Sequence, residues 1–140
     1  MSETQADVEV LMKKLIEPVR KMLREEGGFP PFGAYLDTAR RVKKIAAEAD
    51  DERDQDVLTA FLEEKMQGFA DANKAIATAI VSDVRAVPPG KKKERDCVAF
   101  ALDHVDDYSV IVFLPYELDE ENEVVFGELF AIDGDNKIFS

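Results

Sequence analysis

With 140 residues, 46% of them hydrophobic, the chain has the length of one domain and enough apolar material for its own core. Its lone cysteine, Cys97, excludes an internal disulfide framework and a cysteine-based zinc site. A net charge of −12 argues against nucleic acid or an anionic membrane as partner, and the longest apolar run, Val110 to Leu114, is far too short to cross a bilayer.

The residues before the first apolar stripe, Met1 to Asp7, lack the basic-then-apolar pattern of a secretory signal, so a cytoplasmic location is expected. From Thr4 to Glu26, apolar residues at Val8, Leu11, Met12, Leu15, Ile16, Val19, Met22 and Leu23 form a one-sided helical stripe. Thr4 and Asp7 have the spacing of a helix-capping pair, Gly27-Gly28 supplies a stop, and Pro18 inside the stripe should kink or split the helix. Phe29 to Leu36, with Pro30 and Pro31, reads as an extended edge strand, and Arg41 to Ala47 as its short partner. After a charged stretch from Ala49 to Gln55, Asp56 to Asp71 reads as a second helix with Leu58, Phe61, Leu62, Met66 and Phe69 on one face. Four strands follow: Ile76 to Val87, ended by Pro88-Pro89-Gly90, then Asp96 to His104, Tyr108 to Tyr116, and Glu123 to Ile132. The predicted fold is a single α+β domain over residues 1–140, an antiparallel sheet of about five or six strands with two helices, in the order α-β-β-α-β-β-β-β.

That order is similar to profilin-like and roadblock-like domains, an analogy of fold that carries no function. The segments Phe29-Pro30-Pro31-Phe32-Gly33-Ala34 and Phe126-Gly127-Glu128-Leu129-Phe130-Ala131, with the strand end Val84-Arg85 between them, resemble an uncharacterised family of small bacterial proteins. The resemblance implies one cytoplasmic domain and supplies no catalytic residue.

The charge is unevenly placed. Between Asp96 and Asn136 lie twelve acids and no Lys or Arg, while the rest of the chain holds eighteen acids and eighteen bases. Such a stretch either keeps the domain soluble or faces a basic partner, and the second reading makes an acidic immunity- or inhibitor-type protein the alternative function. Gathered on one side of the fold, these acids would form a docking face.

Candidate chemistry is sparse. Cys97 and His104 are seven apart on one predicted strand, hence on opposite faces, which disfavours a thiol nucleophile with a histidine base and favours a buried, inert Cys97. A two-residue turn at Asp106-Asp107 would set His104 opposite Ser109, but on an exposed tip without walls for a substrate. The run Asp50 to Asp56 imitates a calcium loop but places Val57 where the sharp turn needs glycine. Pro88-Pro89-Gly90-Lys91-Lys92-Lys93 is the one basic cluster and reads as a solvated loop with at most a local anion contact. No metal or cofactor is expected.

Glu128 interrupts an apolar stripe of Val124, Phe126, Phe130 and Ile132, with Phe113 and Phe100 as expected cross-strand neighbours and Arg85 or a lysine as the expected ion partner. The strand Tyr108 to Leu114 is apolar on both faces, and two helices were expected to cover only one of them. The expected function is therefore a non-enzymatic protein-interaction or small-ligand-binding module. Its candidate contact residues are Glu128, Phe113, Ile111, Phe130 and Phe100, and a second copy of the chain or a ligand is the expected cover.

Overall fold

Three long strands in the second half of the chain carry apolar residues on both faces, and the rest of the molecule is arranged to cover them. The computed structural model describes residues 3–46 and 55–139. Helix α1 (Glu3–Glu26) is followed by strands β1 (Phe32–Asp37) and β2 (Val42–Ala46), helix α2 (Gln55–Asp71), and strands β3 (Ala75–Ala86), β4 (Arg95–His104), β5 (Tyr108–Leu118), β6 (Val124–Phe126) and β7 (Phe130–Asp133). The sheet is antiparallel throughout, in the order β2-β1-β3-β4-β5-β6, with β7 also paired to β5. Of the charged run Ala49 to Gln55 only Gln55 is described, and of the calcium-like arrangement Asp50 to Asp56 only the last part, where Asp56 and the following Val57 lie within α2; the rest falls outside the described residues. No described helix is long and apolar enough to cross a membrane.

The α+β class and the element order stand as expected, with seven strands because the last predicted strand is two. Tyr116 pairs with Phe126 and Phe113 with Phe130, so one extra residue is inserted between these registers. Such a bulge reverses which side chains face which layer. Val124 and Phe126 consequently face α1, while Phe130 and Ile132 project to the other side. Strand β1 is not an edge: it pairs with both β2 and β3, and the prolines precede it. The edge is β2, whose Lys43 and Lys44 discourage further strand pairing.

Helix α1 runs unbroken through Pro18. Leu11, Leu15, Val19 and Leu23, on both sides of the proline, are each 0% exposed against Val81, Phe100 and Leu102 of the sheet. Each such burial stabilises by about 1.5–3 kcal/mol, together more than the ~3 kcal/mol that an interior proline costs. Gly27 ends the helix with φ +75° and donates its N–H to the Leu23 carbonyl at 2.9 Å. Thr4 and Asp7 do not cap it. Both lie inside the helix, where Thr4 donates to Asp106 and Asp7 is turned into the core.

The two helices lie on opposite faces of the sheet, against the expectation that they share one. Leu62 and Met66 of α2 pack with Ile80 on the face away from α1, and Tyr35 of β1 stacks on Phe69 at 4.5 Å. Gly33 permits this approach, since a β-carbon there would collide with Met66. The C-terminal tail completes this second layer: Ile138 is 4% exposed in the same cluster, Gln67 donates to the Lys137 carbonyl at 3.0 Å, and Lys137 pairs with Glu63 at 3.8 Å. Cover that seemed to require another subunit comes in part from the chain's own last residues.

One buried polar pair fastens α1 to the β4–β5 turn. His104 Nδ1 accepts the Asp106 N–H at 3.0 Å, so its proton sits on Nε2, which donates to Asp7 Oδ2 at 3.0 Å. Arg40 donates to the other Asp7 oxygen at 3.1 Å. Burial works against the Asp7 carboxylate, but hydrogen bonds from His104 and Arg40 and the Arg40 charge outweigh it and hold its carboxyl below the usual value. Asp7→Ala orphans a buried donor and is expected to cost about 2–3 kcal/mol in urea unfolding at pH 7. The Asp7 contribution is complete above its unfolded value of 3.8 and is lost as pH falls through the lower folded value. Below about pH 4 the wild type should therefore lose more stability than the variant does. Parallel acid titrations would remove the pair from the account.

Candidate functional site

Strand β5 shows what each face offers. Val110, Val112, Leu114 and Tyr116 point to α1, while Ser109, Ile111, Phe113 and Pro115 point to the α2 side. On that second side, α2 and the tail cover the end near Ser109 and Ile111 and stop short of the other end, where Phe113 is half-buried and Pro115 buried beside a surface cleft. The cleft has a volume of about 550 Å³. Its apolar wall is Pro115, Leu129 and Phe130, and its polar wall is the Lys91-Lys92-Lys93 loop with Arg95; Pro88 and Pro89 hold the base of that loop. Leu129 is 52% exposed, and Phe130 stacks on Phe113 at 4.9 Å between ring centres. Lys91, Lys92, Lys93 and Arg95 form no ion pair with any described residue, whereas Arg20, Arg24, Arg40, Arg85 and Lys137 all do.

The five expected contact residues separate. Glu128, Phe130 and Phe113 belong to the cleft or its stacked wall, and Ile111 lines a second, smaller cavity under the tail. Phe100 lies on the opposite face, fully buried under α1, and is not a neighbour of Glu128. Nor is Glu128 set among phenylalanine rings: the bulge moves it out of the stripe to an exposed rim position. Arg85 is engaged elsewhere, with Glu94 and Asp96.

The turn between β4 and β5 spans three residues, with Asp107 at φ +63°, and sets His104 against Tyr108. Ser109 therefore faces away from His104, and the serine–histidine arrangement is absent. Cys97 is on the other face from His104 and fully buried, and burial pushes its thiol up. The acids of the C-terminal stretch do not share one side. Asp106, Asp107 and Asp135 gather at one end of β5, where Asn136 donates to Asp107 and Thr4 to Asp106, and Glu117 to Glu123 lie at the other. Along an eleven-residue strand those ends are about 33 Å apart.

Two buried acids, Asp7 and Asp103, and the half-buried Asp83 differ in how well they are satisfied. Asp7 has both oxygens engaged, and Asp83 accepts from the Tyr116 hydroxyl at 2.7 Å and from the Phe29 N–H. Asp103, 7% exposed, has a hydrogen bond from Ser109, but its Oδ1 finds no partner among the described residues. Charge counting along the sequence placed Asp103 with the surface acids. Its parity with Cys97, Ala99 and Ala101 was the available sign that it faces inward.

Compared with protein-family models, curated proteins and solved structures, the chain matches none of them.

A native protein with Cys97 enclosed should react with an aromatic disulfide reagent far more slowly than the urea-unfolded chain does. Equal rates in a stopped-flow assay would show that the sheet face around Cys97 is open.

Proposed function

We propose that the chain is a non-enzymatic binding module and that its ligand is an anionic group carried on an apolar body. The supporting observation is the cleft at that end of the sheet, where four cationic side chains without ion partners among the described residues lie beside exposed Leu129 and half-buried Phe130. Its volume of about 550 Å³ lies within the usual size of small-molecule sites. In a chain of net charge −12 an anion is repelled from most of the surface, so a local excess of cations beside apolar area selects both place and chemistry. Glu94 and Glu128 on the rim reduce the attraction without cancelling it and would favour ligands whose negative charge is confined to one end. A carboxylate-bearing side chain of a partner protein and a small organic acid both have this character.

Catalysis has little to draw on. The cations and apolar walls of the cleft favour binding over chemistry.

The probe for this reading is anilinonaphthalene sulfonate, an anion on an aromatic body. Its fluorescence should saturate with one equivalent of native protein and weaken as salt rises, because exposed charges are screened over about 10 Å at 0.1 M. Reversing Lys91, Lys92 and Lys93 to glutamate, at about 0.2–1 kcal/mol per contact, should raise Kd by about tenfold or more. Leu129→Asp should do the same, with thermal stability unchanged in both variants. Unaltered affinity in both would remove the cleft as the site.

A further inference from the structure

Beneath the tail, on the same sheet face but at the end covered by α2, lies a cavity of about 200 Å³. Its floor is Ala101, Asp103 and Ile111 of the sheet, and Asn136 comes from the tail. Two buried oxygens in its wall, Asp103 Oδ1 and Asn136 Oδ1, have no hydrogen-bond partner among the described residues. The Asn136 amide is oriented by its own donor, since Nδ2 bonds to Asp107 Oδ1 at 2.6 Å, which leaves the carbonyl oxygen as the unpaired end. The Ser109 hydroxyl accepts the Asn136 N–H at 3.0 Å, so it joins tail and sheet and has its proton to offer Asp103.

An orphaned buried carboxylate oxygen is costly, and nearby acids make it costlier. Burial, and then the charges of Glu63 and Asp135, push the Asp103 carboxyl up despite the Ser109 hydrogen bond. Lys137 pairs with Glu63 and Asp135 at the rim, at 3.8 and 3.7 Å, and so is committed there rather than to Asp103. Among the described residues no positively charged donor is paired with the Asp103 carboxylate on its floor. Both unpaired atoms are acceptors, and an ammonium group has three donors and no acceptor. Ile80, Ile111 and Ile138 leave room beside it only for a short apolar chain. Among the described residues no three metal-binding side chains come together, which favours an organic cation over a metal ion.

We propose that this cavity is a binding site for a small primary amine, its ammonium group seated on Asp103 and Asn136 and its alkyl chain against the isoleucines. The site is separate from the basic cleft and takes a ligand of opposite charge, so either reading can fail without the other.

The probe is butylammonium, followed by amide NMR shifts of the full chain, with butan-1-ol as a neutral control of the same length. Saturable shifts confined to Ala101, Asp103, Ser109 and Ile111, absent with the alcohol, are expected. Asp103→Asn keeps the shape and removes the charge, and should weaken binding by about tenfold or more. Ala101→Leu keeps the carboxylate and fills the space, and should abolish binding, so one variant remains informative if the other fails to fold. No saturable shift, an equal response to the alcohol, or unchanged affinity in a folded variant would overturn the proposal and leave a hydrated cavity.

Discussion

The central constraint on this fold is that β3, β4 and β5 are apolar on both faces, so neither face can be left to water. Strand β4 illustrates it: Val98, Phe100 and Leu102 on one side and Cys97 and Ala99 on the other are all buried. A sheet of this kind needs two covering layers, and the described residues supply two helices with which to build them. The long helix α1 takes one face almost by itself, through a stripe that passes Pro18 without a break. The shorter α2 cannot cover the other, and the tail from Gly134 to Phe139 is drawn across the sheet to join it. The division of labour leaves a remainder, and both the cleft and the cavity belong to it.

What periodicity reports is which residues share a face, and it reported this well where pairing is regular. The separation of Cys97 from His104, the two-sided character of β5 and the α+β order all follow from alternation along a strand. Alternation fails wherever the count is broken by one. Between Phe126 and Phe130 the register slips by a single residue, and that slip takes Glu128 out of the stripe and separates Phe126 from Phe130. Phe100 is lost from the expected site for a different reason: the β4–β5 turn has three residues rather than two, which sets Val112 instead of Phe113 opposite it. The glycine at position 127, inside an otherwise continuous strand pattern, was the one local sign of a bulge.

Sequence is silent in a different way about which face a helix takes. The stripe of α2 specifies that it must be buried, not against what. Gly33 and Tyr35 decide the matter, one by giving Met66 room and the other by offering Phe69 a ring to stack on, and neither fact is visible until β1 and β3 are paired. The acidic stretch taught the same lesson about charge. Read linearly, Asp96 to Asn136 is one block; folded, its acids lie at the two ends of β5, about 33 Å apart, with Asp103 buried near one of them. Linear density of charge is not surface density.

The remainder of the second face is polarised because different parts of the chain close its two ends. The cleft end is bordered by the β3–β4 connection, which carries Lys91, Lys92 and Lys93, and the cavity end by the tail and the β4–β5 turn, which carry Asp135 and Asp107. Ile111, Phe113 and Pro115 connect them along β5, about 13 Å from first to last. That distance exceeds the screening length of about 8 Å at physiological salt, so each end acts on its own surroundings as a charged site of one sign. Phe113 and Phe130, stacked midway, keep the ground between them apolar. A ligand drawn to one end therefore gains little from the other unless it has an apolar body long enough to cross the pair of rings.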